Sequence, residues 1–231
     1  MTTITDTRAG RIEQPAVSTD VPTTSSAVKA RRALLVAAPV LAGAFLVLGA
    51  AADPAAGVSG EKMLEIYIDN PGPLQWKSTG YHWAYALLAA PALLAVGYVK
   101  GRGAWLATIA GILAFLGMTT LPGMLITDWY AAGIGHEFGL EGTLAVEAHM
   151  QDTMWGIAGF GLPAFIGTAL CLPLITIALS RAGRMPWWSV GVVVAAYAAF
   201  LAGGATVVAA SVTAVLLSAY AVLLARATRA S

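Results

Sequence analysis

The sequence predicts an all-α integral membrane protein, a six-transmembrane helical bundle. Three observations carry that expectation: long apolar runs without charge, a scarcity of charged residues, and a segregation of those charges along the chain. Only 11% of the 231 residues are charged and 58% are hydrophobic, whereas a soluble domain carries roughly 25% charged residues. A soluble core cannot absorb that much apolar surface.

Residues 1–32 begin as a Thr-, Ser-, Ala- and Pro-rich segment with scattered charges of both signs and little apolar periodicity, which predicts a disordered cytoplasmic tail. The first apolar run, Ala33 to Ala52, follows Lys29, Arg31 and Arg32 and is 20 residues long, about 30 Å as a helix and enough for the hydrocarbon core. Further runs at 81–99, 104–126 and 154–179 lack Asp, Glu, Lys and Arg altogether. The last apolar stretch, 187–225, as one straight helix would measure about 60 Å, twice the core. It is therefore expected to fold back at Gly203 and Gly204 into spans 187–202 and 207–225. These six spans make a membrane domain over 33–226, with residues 227–231 as a short end. An alternative reading takes Arg31, Arg32 and the run ending Ala50-Ala51-Ala52 as a cleaved secretory signal, leaving five spans. The run's length and its long leading tail favour a retained helix.

Six spans place every basic residue except Lys62 and Lys77 on one side, which the positive-inside rule makes the cytoplasm, with both termini there. The other side carries two acidic outer loops, 53–80 and 127–153, holding nine of the twelve acidic residues. Tryptophans at 76, 83, 129 and 155 fall near the outer span ends and those at 105, 187 and 188 near the inner ends, as aromatic belts require. Ala- and Gly-rich spans fit a bacterial cytoplasmic membrane.

Lipid-embedded helices associate through small residues that admit close backbone approach. Gly156, Gly159 and Gly161 are the expected small-residue surface of the fourth span; Pro91, Pro163 and Pro173 are expected as packing-related kinks. Ser211, Thr213 and Ser218 are expected to bond back to their own helix. The single cysteine, Cys171, excludes an internal disulfide and reads as a small packing residue.

All three histidines fall on the outer side in this topology. His149 and Asp152 stand one helical turn apart, and with Glu147 and His136 they form a candidate ligand set for a divalent metal. His82 and His149, near the outer ends of the second and fourth spans, are candidate axial ligands of a single haem. No c-type attachment pair, nucleotide-binding loop, serine elbow or zincin motif is present. Ion and proton pumps place charged side chains within the membrane, and these spans contain none.

Two functional classes follow. The leading one is a non-enzymatic accessory subunit or small transporter-like bundle whose acidic cap meets a membrane-protein partner, a cation or a neutral substrate, or pairs with itself; nothing points to nucleic acid. The alternative is a membrane-embedded metal- or haem-dependent enzyme or redox protein using the outer histidines.

Overall fold

The computed structural model describes residues 25–153, 156–204 and 206–229, and these are all-helical with no strand among them. Residues 1–24 of the expected tail, Met154, Trp155, Ala205 and the last two residues lie outside the described residues. Helix α1 spans Ser26–Ala52, starting seven residues before the apolar run because Ser25 caps it, its side chain accepting from the Val28 amide. Helix α2 covers Glu61–Asp69, α3 Pro71–Ala95, α4 Ala104–Met124, α5 Ile126–Thr153, α6 Gly156–Arg181, α7 Trp188–Ala202 and α8 Val207–Ala227. The expected turn between α7 and α8 forms at Gly203 and Gly204, the latter at φ 62.

Four segments are long and apolar enough to cross a membrane: α1, the continuous α4–α5 stretch, α6 and α8. This is the composition of a helical membrane protein. Helix α3 is 25 residues long, but its first turns carry Gln75, Lys77, Ser78, Thr79 and His82, which lower its apolar character. Helix α7 has 15 residues, about 22 Å and short of the hydrocarbon core.

The segments expected as loops are largely helical. Helix α2 buries Leu64 and Tyr67, and α3 starts directly after it, with Pro71 at a position whose missing N–H costs nothing. Helix α5 breaks at Gly139, whose φ of 73 and ψ of 176 only glycine adopts readily. Short amphipathic helices such as α2 bury too few residues for periodicity to stand out.

In the bundle, α1 packs between α3 and α8, α4 against α3 and α6, and α7 against α8. Glycine makes these contacts close. A Cβ on Gly80 would lie 2.6 Å from the Gly49 nitrogen, one on Gly43 would lie 2.7 Å from the Ala214 Cα, and one on Gly167 would lie 2.6 Å from the Gly117 nitrogen. Of Gly156, Gly159 and Gly161, expected to be the packing surface, the first two meet nothing within 4 Å among the described residues and the third only the end of Met124 at 3.8 Å. The small-residue principle holds, but α6 uses Gly167, deeper in the helix, because that is where α4 crosses it. Pro39, Pro91, Pro122, Pro163 and Pro173 all lie inside helices.

Hydroxyls add interhelical bonds. Tyr220 on α8 accepts from Thr176 on α6 at 2.8 Å, and Thr213 donates both to Ala209 in its own helix and across to Ala196 of α7 at 3.1 Å. Ser218 bonds back to Ala214 at 2.8 Å. Cys171 is fully buried in the main apolar cluster.

Candidate functional site

At the acidic end, α2, the first turns of α3 and α5 form a cap. Asn70 ties the α2–α3 joint by donating to the Ile66 carbonyl at 2.8 Å. Gly135 lets α5 approach α2, since a Cβ there would lie 2.2 Å from the Ile68 side chain. Thr143, after the Gly139 break, is buried against the first half of α5 and donates to the Ala131 carbonyl at 3.4 Å.

Lys77 is the centre of this cap. It lies on α3, only 8% exposed, and its Nζ stands 2.8 Å from Asp128 Oδ2 on α5. The same ammonium donates to the Tyr67 hydroxyl of α2 and lies 4.2 Å from the centroid of the Tyr67 ring. One side chain thus joins three helices by an ion pair, a hydrogen bond and a cation–π contact. It is the only salt bridge among the described residues.

Burial alone would lower the Lys77 pKa, but hydrogen bonds from the ammonium to Asp128 and Tyr67 outweigh it and hold the group above its usual value. Burial raises the Tyr67 phenol, and the adjacent Lys77 offsets only part of that. Lys77 is therefore held as a cation. That suits a fastener and opposes a role as nucleophile or general base, which needs a lysine pKa pushed down.

Beside this trio, α2, α3 and α5 enclose a cleft of about 340 Å³. Leu74, Ile68 and Ala132 supply apolar walls, Trp129 an aromatic one, and Gln75 and His136 the polar edge. A mostly apolar recess with a few converging polar groups is the usual form of a small-molecule site.

The other histidines are placed differently. His82 Nδ1 lies 3.4 Å from the Pro122 carbonyl, where the start of α3 meets the end of α4, and its ring stands edge-on to Trp83. His136 is exposed at the cleft rim. His149 and Asp152 are exposed and Glu147 is half-buried; the His149 carbonyl accepts from Thr153. Among the described residues no group of three or more His, Cys, Asp or Glu is placed to hold a metal ion.

Within the bundle, Tyr85, Thr168, Tyr197 and Thr213 line a cavity of about 110 Å³ together with Leu88 and Phe200. Tyr197 donates to the Thr168 carbonyl at 2.7 Å, while the buried Thr168 hydroxyl has no partner among the described residues. The polar groups lining this cavity are all uncharged.

Sequence reasoning passed over Lys77, Asp128 and Tyr67. A signal existed: Lys77 lies four residues before the second apolar run and Asp128 two residues after the third. Consecutive antiparallel spans bring such positions to the same end.

Fold and site together define a class: a helical membrane protein with an ion-paired helical cap at one end. No protein-family model, curated protein or solved structure matches the chain.

Proposed function

We propose that the chain crosses the bacterial cytoplasmic membrane six times, with its basic end and both termini in the cytoplasm. It acts there as a non-enzymatic accessory subunit or small transporter-like bundle that engages a membrane partner or a neutral ligand at the capped outer end. The observation that carries this reading is the Lys77–Asp128–Tyr67 junction, which holds α2 and α5 over the bundle and keeps the adjoining cleft in shape. The uncharged apolar runs beneath it favour neutral cargo over ions, since a charged substrate needs intramembrane counter-charges. Charge segregation supports the orientation and the sixfold crossing, with α3 and α7 spanning alongside the four more apolar segments.

Purified protein reconstituted in lipid vesicles and screened with small neutral solutes tests transport, and a Trp129→Ala variant should lower any flux found. Copurification of a stable membrane partner, lost in a Gln75→Ala, Trp129→Ala variant, supports the accessory role. A Soret band or stoichiometric bound metal in the purified protein would overturn the non-enzymatic reading in favour of a cofactor protein built on the histidines.

A further inference from the structure

At the opposite end from the cap, α1 and α8 leave a groove of about 740 Å³. Its mouth carries Lys29, Arg32 and Arg229, and its walls continue along one face of α1 through Val36, Val40 and Leu41. Arg32 is held in place, donating from Nη2 to the Ala225 carbonyl at 3.3 Å near the end of α8. A guanidinium carries five N–H donors in a rigid fork, so this bond leaves others for a phosphate. Val40 and Leu41 are 43% and 46% exposed, so the groove wall is open to whatever lies beside the helix.

We propose that this groove binds one anionic phospholipid, its phosphate against Lys29, Arg32 and Arg229 and an acyl chain along Val36, Val40 and Leu41. Charge and geometry both select that occupant. Three cations line the groove and, among the described residues, no acidic one does, so a neutral or zwitterionic headgroup leaves them less well satisfied. From Lys29 to Leu41 the helix rises about 18 Å, close to the roughly 15 Å of one leaflet's hydrocarbon. The charged mouth therefore lies at headgroup depth when the apolar wall lies at chain depth. A protein segment could fill the apolar wall, but it would not place a phosphate at the basic mouth. Basic pockets between helix ends on the cytoplasmic side are where such headgroups bind.

The test uses the full chain in nanodiscs of equimolar phosphatidylcholine and phosphatidylglycerol, released into detergent, with retained lipid counted by native mass spectrometry. Each basic charge contributes roughly fivefold, so phosphatidylglycerol should be retained in preference on the order of a hundredfold. A Lys29→Gln, Arg32→Gln, Arg229→Gln variant should lose nearly all of that preference, while Lys100→Gln, Arg102→Gln, at the same end outside the groove, should keep it. Val40→Trp, which leaves every charge in place, should displace the lipid by filling the chain path, and it decides the matter should the triple variant misfold. Equal retention of the two lipids, or unchanged retention in both groove variants, overturns the proposal. So does stabilisation of the protein by inorganic phosphate equal to that by phosphatidylglycerol, since the acyl wall would then contribute nothing.

Discussion

Replacing Asp128 with Asn removes the counter-charge of Lys77 and leaves the rest of the cap in place. The Lys77 side chain is 10% exposed and that of Asp128 26%, with 2.8 Å between the charges. Breaking a buried pair by removing one partner costs about 3–5 kcal/mol, because the surviving charge is stranded. Here water reaches the pair from the Asp128 side and Tyr67 still accepts from the ammonium, so roughly 2–3 kcal/mol is expected. Lys77→Met should cost less, about 1 kcal/mol, since the remaining carboxylate is the better hydrated partner and the methionine fills the vacated space. The double variant Lys77→Met, Asp128→Asn should then be more stable than the two single losses added together. A coupling on the order of 1–3 kcal/mol is the range for groups in direct contact.

The loss should be local. Amide hydrogen exchange in nanodiscs should show α2 and α5 opening in Asp128→Asn while α1, α4, α6 and α8 stay protected, because the cap joins the bundle chiefly through α3. Unchanged exchange in α2, or single effects that simply add in the double variant, would refute the reasoning that this ion pair fastens the cap.

Four other outcomes are expected. Lys77 and Tyr67 both have raised folded-state values, so their contribution is complete below the unfolded values of about 10 and is lost as pH rises through the folded ones. Protection of α2, taken as exchange relative to the base-catalysed intrinsic rate, should therefore be flat around neutral pH and fall only in strong alkali, a fall that Lys77→Met reduces. Gly80→Ala forces a Cβ to 2.6 Å from the Gly49 backbone and should cost roughly 1–3 kcal/mol in reversible detergent unfolding, whereas Gly159→Ala, which meets nothing, should be neutral or slightly stabilising. Tyr220→Phe removes the interhelical partner of the Thr176 hydroxyl, which keeps its bond to the Leu172 carbonyl, and should cost about 0.6 kcal/mol by the same unfolding measurement. Cysteines placed singly at Ala56 and Glu137 should react with an impermeant maleimide from one side of the membrane and one at Lys100 from the other, with buried Cys171 unlabelled in the folded protein.

The helices of the bundle were legible because their apolar runs are long, and five of the six begin or end within about three residues of those runs. The second was not. Helix α3 begins at Pro71, ten residues before its run, because Leu74, Lys77 and Ser78 are buried by cap helices that hydropathy reads as loop. The ion-paired junction was not legible for a related reason. Histidines attract attention as ligands, yet His136 and His149 are exposed and His82 faces a carbonyl. Lys77 reads as an ordinary loop charge, and only the pairing of antiparallel helix ends reveals its acidic partner 51 residues away.

The two ends of the molecule are consequently held by different forces. The bundle relies on backbone approach at Gly43, Gly80 and Gly167 and on hydroxyl bonds, contacts of short range that are indifferent to pH and salt. The cap depends on one cation serving three helices. The pair is in direct contact and open to water only from the Asp128 side, so moderate salt should weaken it only slightly, while loss of either charge should loosen it without unfolding what lies beneath. On the function proposed above, a cap that opens over an intact bundle would let the surface offered to a ligand or partner change shape at a cost of a few kcal/mol instead of the stability of the whole fold. Hydrogen exchange of α2 measured with and without a bound partner is the direct measure: closure on binding marks the cap as the working part, and equal exchange marks it as scaffold.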